Sequence, residues 1–368
     1  MDYAIFYLVI AFIFVIGCVE NSSQLSIRKS LYFWPILIVL VALVAFRSAG
    51  VGSDDRAYIE IFSKVPPLTE CEGILCGYDY SKINIEYGFY FLLSIMGMLG
   101  SNAIILFGIT GLLSIYLNLK SIKYFSPYFS AGILIYFSHF FLAKELNAIR
   151  MGLATALIFY AATFFTRKMF TFFWLIMLLA VSIHVTSALA LIPFLLYTIS
   201  PGRQILAALS VIMVLFSVVF DLSQLIVFFK YFSFLEQKIE LYLNSQMYNY
   251  SIPLLNVVNV RNLIIVLLCL LFWAPLCSAN KYFKIAFYFF FCATFFRILF
   301  GDFAILAGRG YAVISMFEYI LIPMLAVYFV GRWPGYLVVF IYALLTLSLN
   351  LSINTGWSGG IGYLHDIL

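Results

Sequence analysis

The chain has 368 residues, of which 65% are hydrophobic and only 10% are charged, with a formal net charge of +5. Soluble domains carry roughly 25% charged residues, so this composition excludes an ordinary soluble protein. The basic residues are dispersed among short loops, so the positive charge bears on membrane topology and does not indicate nucleic-acid binding.

Apolar runs of membrane-spanning length recur along the whole chain. A bilayer-spanning helix needs about 20 apolar residues, and backbone groups in lipid have to bond within their own segment. We therefore predict an all-α polytopic membrane protein that forms a single integral membrane domain over residues 1–368. The candidate spans are 3–19, 31–46, 86–100, 102–119, 128–142, 147–165, 169–183, 185–199, 204–220, 262–278, 284–300, 311–330 and 335–350.

The first run, residues 3–19, follows an acidic start at Asp2 and lacks the basic front end and cleavage site of a secretory signal. We expect it to be retained as the first membrane anchor. Basic residues in short loops mark the cytoplasmic side, so Arg28 and Lys29 are expected inside. Residues 47–83 then form an outer-face loop.

The segment 84–100 creates a conflict in this topology. Two full crossings between residues 84 and 119 would place Lys120 and Lys123 outside, against the basic-loop pattern. The segment is short and carries Glu86 and three glycines. We therefore predict that it is re-entrant and does not cross the membrane, which leaves about twelve transmembrane helices with both termini outside.

In this topology, ionisable residues from distant parts of the chain fall at or near the outer face. An unpaired ionisable group at membrane depth costs from ~2.5 to over ~10 kcal/mol, so it usually faces a watery cavity and a partner. Cations and carboxylates gathered at one face indicate a site for an anionic lipid-linked substrate, because guanidinium groups match phosphate oxygens. The set comprises Arg47, Asp54, Glu86, Lys144, Arg150, His184, Arg261, Arg297 and Arg309.

Several of these residues also have a structural interpretation. Arg47 and Arg150 fit interface anchors that extend toward water. Asp54 fits the N-cap of a short loop helix, although capping does not exclude catalysis. His184 lies at a helix junction, where a structural hydrogen bond explains it as well as a catalytic one. Asp55 is expected to be a solvated neighbour.

The cysteines and histidines predict a disulfide and argue against a zinc site. Cys71 and Cys76 lie in the polar outer loop, where an oxidising compartment permits a bridge, and we predict one there. The other cysteines lie in apolar runs and are expected to be packing residues. His139 and His365 carry no supporting pattern, and no Cys or Asp accompanies the histidines at ligand spacing.

A second outer-face loop is predicted over residues 221–261. Apolar residues recur there at helical spacing with charged residues between them, which is typical of an amphipathic helix on the membrane surface. Such a helix would be a lid over the site or a tether without a further role. The apolar positions are Phe228, Phe232, Leu235, Ile239 and Tyr242.

Five stretches form an ordered series along the chain: "FRSAGVGSDDRAY", "NIEYGF", "NAIRMGLATAL", "SIHVTSALALIPF" and "GRGYAVISMFEYILIP". The first resembles the R-x(n)-G-x-D-x(2–3)-Y signature of EpsG-like, Wzy-type polysaccharide polymerases, and the second resembles their E-x-G-[FY] element. The third and fourth are similar to their N-x-I-R-Q-x-[IL]-A and F-H-x-S-A-L-x-x-[LI]-P motifs, and the fifth to their Arg-containing late helix. Met151 and Ile183 depart from the glutamine and aromatic residue of these motifs, and no motif identifies the sugars.

The resemblance implies a fold and a reaction. The fold would be a GT-C-like polytopic glycosyltransferase in the bacterial plasma membrane. The enzyme would transfer a glycan chain from undecaprenyl pyrophosphate to a lipid-linked repeat unit at the outer face. The pyrophosphate leaving group supplies the energy, so neither ATP nor a nucleotide sugar is needed. A metal is not required either, since arginines can supply the positive charge, and no other cofactor is expected. A chain-length regulator would be the protein partner.

The chemistry of this reaction assigns roles to the candidate residues. Preplaced arginines stabilise charge on a departing pyrophosphate. The acceptor hydroxyl needs a base within hydrogen-bond reach. Asp54 and His184 are the base candidates, with Glu86 as an orienting or alternative carboxylate. The expected phosphate-side cations are Arg47, Arg150 and Arg309.

Three other functions remain open at this point. An O-antigen-ligase-like transferase would share the outer-face cations but move a finished glycan to another acceptor. A glycan flippase or other transporter should show two related halves and a charged path through its middle, whereas the charges here gather near one face. A membrane acyltransferase should carry its histidine deeper and face a cytosolic acyl donor. We expect the polymerase.

Overall fold

The computed structural model describes residues 3–22, 30–48, 50–71, 73, 76–219 and 251–353. Within these ranges every regular element is a helix, which confirms the all-α prediction. The predicted surface helix around residues 228–242 and His365 lie outside the described residues.

The helices are numbered in chain order. In the first part of the chain they are α1 (Ala4–Ser22), α2 (Ser30–Ala45), α3 (Asp55–Lys64), α4 (Tyr80–Ile83), α5 (Tyr87–Gly97), α6 (Ala103–Phe125), α7 (Phe129–Ile135), a π-helix (Tyr136–Phe141), α8 (Leu142–Lys144), α9 (Ile149–Thr166) and α10 (Phe170–Ile183). After them come α11 (Leu191–Ile199), α12 (Arg203–Val219), α13 (Val257–Leu271), α14 (Trp273–Ala279), α15 (Phe283–Leu299), α16 (Ala304–Ile314), α17 (Glu318–Val330) and α18 (Arg332–Ile353). Short 3₁₀ turns occupy Leu68–Glu70, Val185–Ala190 and Ser315–Phe317.

By its internal contacts, the chain divides into two compact units. The first comprises Met1–Ala188 and Tyr319–Leu368, and the second comprises Leu189–Glu318. Hydropathy alone does not reveal this division, and the single membrane domain stays a prediction.

Helix α9 forms the centre of the first unit. It packs against α6 and α10, and nearly all of its residues except those of the last turn are buried. Small residues such as Gly152 and Ala156 allow neighbouring helices to approach closely. A helix that is apolar on every side has no preferred solvent face, so its burial is expected. Arg150 lies in its first turn.

The second unit is built around α15. Its buried side chains are largely aromatic, among them Phe287, Phe289 and Phe291. The helix packs against α11, α12, α13 and α16. Aromatic rings supply large contact areas with few rotatable bonds, so they suit the core of a helix bundle that has little polar surface.

Among the residues that the structure describes, five helical stretches are long and apolar enough to cross a membrane: Ala4–Ser22, Ala103–Phe125, Ile149–Thr166, Ala304–Val330 and Arg332–Ser352. The fourth stretch comprises α16, the following 3₁₀ turn and α17. The pair α13 and α14, bent by 82°, would add a sixth crossing. The remaining apolar helices have 10–17 residues. The structure therefore supports a membrane-embedded protein, while about twelve crossings and the GT-C-like architecture stay predictions.

The segment that we predicted to be re-entrant contains α5, a helix of 11 residues. At 1.5 Å rise per residue it is about 16 Å long, roughly half of the ~30 Å hydrocarbon core. This length agrees with a segment that enters the membrane without crossing it.

Candidate functional site

Three of the predicted site residues meet in the first unit. Arg150 Nη1 lies 2.6 Å from Glu86 Oε2, and His184 Nδ1 lies 3.4 Å from Glu86 Oε1. Glu86 Oε1 also accepts the backbone N–H of Val185 at 3.3 Å. The three side chains are between 12% and 21% exposed, so the cluster is largely buried but open to a ligand.

Each residue of this Glu86–Arg150–His184 cluster comes from the end of a helix. Glu86 is the N-cap of α5, and Arg150 lies in the first turn of α9. His184 directly follows α10 and has extended backbone dihedrals. Helix ends combine a fixed position with access, because the helix holds the backbone while the side chain extends past its end.

Gly88 explains why the cluster can form. A Cβ atom at this position would collide with Ser182, whose carbonyl oxygen would lie 2.7 Å away. Only glycine therefore permits the first turn of α5 to approach the last turn of α10. Because Gly88 follows Glu86 by only two residues in the "NIEYGF" stretch, this close approach of the helices brings the Glu86 carboxylate to His184.

The charge state of Glu86 indicates its role. Burial alone would raise the pKa of Glu86, but its interactions with His184 and Arg150 outweigh burial and lower the pKa to about 2. A carboxylate with such a low pKa is ionised at neutral pH and is a weak base. Glu86 is therefore suited to hold Arg150 and orient His184. Nδ1 of His184 is the ring nitrogen on the Glu86 side, although at 3.4 Å it makes no hydrogen bond of good geometry, so Nε2 is the nitrogen left for proton transfer.

Arg47 does not join this cluster. Its guanidinium forms a bidentate ion pair with Asp55, with Nη2–Oδ1 and Nε–Oδ2 distances of 2.7 and 3.2 Å. Nη1 donates to the Glu145 carbonyl oxygen at 2.9 Å, and the group lies 3.7 Å from the Phe107 ring centroid. Both charged side chains are 0% exposed. A direct contact between Arg47 and a bound phosphate does not fit this placement.

The expectation that Asp55 is solvated is wrong. It begins α3, and its side chain points inward, where it also accepts the Gly52 N–H at 2.9 Å. Asp54, one residue earlier, is exposed and occupies the N-cap position of α3. Its side chain makes no capping hydrogen bond. The N-cap position was predicted correctly, and the role of Asp54 as a base stays a prediction.

The loop between α2 and α3 is fastened to the turn that precedes α9. Ser53 Oγ and the Asp54 N–H both donate to Asn147 Oδ1, at 3.0 and 3.1 Å. A Cβ atom on Gly52 would collide with the Leu146 carbonyl oxygen, so this loop requires glycine. Together with the Arg47–Glu145 hydrogen bond, these contacts fix the turn that leads into α9, whose first turn carries Arg150.

Glu145 is a buried carboxylate that the sequence reasoning did not include. Its Oε1 accepts hydrogen bonds from Ser114 (2.9 Å), Tyr136 (2.8 Å) and Asn118 (3.4 Å). The residue is only 2% exposed. The adjacent pair Lys144 and Glu145 at the end of an apolar run was an available signal, since ionisable groups at membrane depth usually have a role.

The second unit holds another arginine cluster. Arg261 Nη1 lies 3.0 Å from Glu318 Oε1, and its Nη2 donates to the Tyr311 hydroxyl at 2.8 Å. Tyr311 in turn donates to Glu318 Oε2 at 2.9 Å. Nε and Nη2 of Arg261 both donate to Asn262 Oδ1. We call these four residues the Arg261 cluster.

Three remaining candidates occupy different settings. Arg309 was expected just before a span starting at residue 311, but α16 begins at Ala304, so Arg309 lies within the helix with an exposed side chain. Arg297 Nε donates to Asn259 Oδ1 at 3.1 Å. Lys144 is buried, with Nζ 4.7 Å from the Phe140 ring centroid.

The comparisons with known proteins identify one family. The EpsG family model matches residues 30–363, nearly the whole chain. No curated protein sequence and no solved structure shows a significant match. The glutamate, arginine and histidine that meet at the cluster come from three of the stretches that resemble this family. The chain belongs to the EpsG family, membrane proteins of the polysaccharide-polymerase type.

Proposed function

We propose that this protein is a glycosyltransferase that polymerises polysaccharide repeat units carried on undecaprenyl pyrophosphate. Membership of the EpsG family supports the reaction class. The observation that carries the residue assignment is the Glu86–Arg150–His184 cluster, which combines a guanidinium, a carboxylate and an imidazole in one partly open site.

The cluster can divide the chemistry between its members. The acceptor hydroxyl oxygen attacks the anomeric carbon of the donor glycan, and the bond from that carbon to the pyrophosphate oxygen breaks. His184 accepts the hydroxyl proton while Glu86 holds the imidazole. Arg150 stabilises the negative charge that develops on the departing lipid pyrophosphate.

Arg150 retains donors for this purpose. A guanidinium has five N–H donors. Among the contacts of the described residues, Nη1 is bonded to Glu86 and Nε lies 3.5 Å from the Tyr58 hydroxyl. The remaining N–H groups form a planar edge of the kind that binds phosphate oxygens in pairs.

The site is proposed to face the exterior of the plasma membrane. Cys71 and Cys76 form the predicted disulfide, and disulfides persist on the oxidising side of a membrane. This loop is joined directly to the cluster, because Tyr78 donates to the Ile85 carbonyl oxygen at 2.8 Å, one residue before Glu86.

Orientation is testable by labelling single cysteines with an impermeant reagent in a background without native cysteines. We expect positions 53 and 350 to react in intact spheroplasts and positions 120 and 167 to react only after the membrane is opened. Labelling of position 120 in intact spheroplasts would overturn the topology and the exterior site.

The reaction is tested with purified protein and a lipid-linked repeat unit, with a ladder of polymer lengths as the readout. We expect His184→Gln to reduce ladder formation by about 10²-fold or more, because it removes the base. Asp54→Asn is the comparison variant, since Asp54 is the other base candidate and its side chain is exposed. If the His184→Gln variant is active and a well-folded Asp54→Asn variant is inactive, Asp54 is the base instead of His184. A single glycan transfer to a different acceptor, without a ladder, would favour the ligase instead.

A further inference from the structure

The 3₁₀ turn after His184 carries two hydroxyl groups that the proposed chemistry does not use. Thr186 Oγ1 and Ser187 Oγ are both buried, and neither has a hydrogen-bond partner among the described residues. Ser187 is 0% exposed. The same turn supplies the Val185 N–H to Glu86, so both hydroxyls belong to the backbone segment that borders the cluster.

Two adjacent unpaired hydroxyls are unusual in a folded protein. The large majority of buried side-chain polar atoms have a partner, because burial removes the hydrogen bonds to water without replacing them. Departures from this rule are expected at functional sites, where a ligand supplies the missing partner. The position of this pair, two and three residues after His184, points to a ligand of the same site.

We propose that Thr186 and Ser187 form a subsite for sugar hydroxyls of the lipid-linked substrate. This inference rests on the proposed function and divides the site into two parts. Hydroxyls are neutral and both donate and accept hydrogen bonds, as sugar hydroxyls do. Arg150 is a cationic donor and matches the phosphate oxygens. His184, the proposed base, directly precedes the turn that carries the two hydroxyls, and Glu86 contacts both His184 and Arg150, so the base borders both parts of the site.

The test compares two lipids, undecaprenyl diphosphate with and without an attached oligosaccharide repeat unit. Dissociation constants are measured for the purified wild type and for Ser187→Ala and Thr186→Val, together with the melting temperature. Each substitution removes a hydroxyl with little change in volume. Thr163→Val is the control, because the Thr163 hydroxyl is buried but paired with the Tyr160 carbonyl oxygen at 2.7 Å.

We expect Ser187→Ala and Thr186→Val to weaken binding of the glycan-bearing lipid by roughly five- to ten-fold each. Binding of the bare lipid diphosphate should stay unchanged, and the melting temperature should stay constant or rise, because an unpaired buried group is removed. Thr163→Val should lower the melting temperature and leave both dissociation constants unchanged. This pattern separates a ligand contact from a structural hydroxyl.

Two results would overturn the subsite. One is a loss of melting temperature like that of the control with no change in glycan-dependent binding. The other is equal weakening for both lipids, which would place the hydroxyls at the phosphate. Failure of the proposed function is a separate result. If the wild type makes no ladder yet binds the glycan-bearing lipid more tightly than the bare lipid, and Ser187→Ala removes this difference, the subsite stands without the polymerase.

Discussion

Each compact unit contains an arginine that contacts a glutamate and a tyrosine. In the first unit Arg150 contacts Glu86 and Tyr58, and in the second Arg261 contacts Glu318 and Tyr311. The two arginine side chains are almost equally exposed, at 21% and 22%. The two arginines thus share the same types of partner, a glutamate and a tyrosine, and nearly the same exposure.

They differ in how many donors are already engaged. Arg261 has Glu318 on Nη1, Tyr311 on Nη2, and Asn262 on both Nε and Nη2. Arg150 has one short contact, to Glu86, and one long contact, to Tyr58. The carboxylate of the Arg261 cluster is also fully buried, whereas Glu86 is 16% exposed. Under the proposed function, the number of donors already engaged, and not the residue types, separates the Arg150 site from the Arg261 cluster.

The largest difference is expected when each arginine is replaced by lysine, which keeps the charge but loses the planar fork of donors. Arg150→Lys should reduce polymer formation by about 10²-fold, within the range for loss of one transition-state donor. Arg261→Lys should act mainly on stability, because it breaks four hydrogen bonds. Rates of ladder formation are compared after normalising to folded protein. If both variants lose the same rate of ladder formation at an unchanged melting temperature, Arg150 and Arg261 do not differ in role.

The same comparison can be made with the two carboxylates, Glu86 and Glu318. Glu318→Gln leaves the Arg261 cation without its buried counter-charge, which should lower the free energy of unfolding by about 3 kcal/mol. Glu86→Gln should cost less, because solvent reaches its cluster and screens the charge. Unfolding in detergent, followed by denaturant titration, measures both. A larger loss for Glu86→Gln than for Glu318→Gln would contradict this order.

Acid should affect the Glu86–Arg150–His184 cluster in a defined direction. The pKa of Glu86 is lowered from its ordinary 4.5 to about 2, so the unfolded chain binds the proton more readily. Ionised Glu86 therefore stabilises the fold fully above pH 4.5, and this contribution is lost as the pH falls from 4.5 through about 2. With its partial exposure taken into account, it should amount to roughly 1–2 kcal/mol.

The stability difference between wild type and Glu86→Gln measures this contribution. It should be constant above pH 5 or so and shrink below it, as the wild-type carboxylate becomes protonated in the unfolded chain. A difference that grows toward acid pH would show that the carboxylate is not ionised in the fold.

The smallest effect concerns the disulfide beside the first cluster. Cys71→Ser with Cys76→Ser opens a short ring, so the free energy of unfolding should fall by at most ~2 kcal/mol. Activity should be largely retained, because Tyr90 still donates to the carbonyl oxygen of residue 76 (2.6 Å in the wild-type protein) and holds the loop on α5. Non-reducing mass spectrometry checks the bridge, and ladder formation checks the activity. A strong loss of activity would make the bridge part of the site.

Much of this arrangement follows from sequence alone. Hydropathy locates most helices to within a few residues, and motif residues in chain order indicate that Glu86, Arg150 and His184 belong to one site. Sequence alone does not show whether Asp54 or Asp55 pairs with Arg47. Successive helical residues point about 100° apart, and no sequence pattern decides which of the two faces the arginine. Hydropathy also does not reveal the 82° bend between α13 and α14, because the apolar run continues through the bend.

The π-helix at Tyr136–Phe141 makes the length of this segment as important as its residues. A π-helical turn closes its hydrogen bonds one residue later than an α-helical turn. Closing this wide turn to a regular α-helix without removing a residue would rotate one flank against the other by about 100°. Tyr136 would then turn away from Glu145, to which it donates a hydrogen bond at 2.8 Å. The extra residue and the wide turn therefore belong together, and a single-codon deletion between α7 and α9 keeps this geometry only where it removes both.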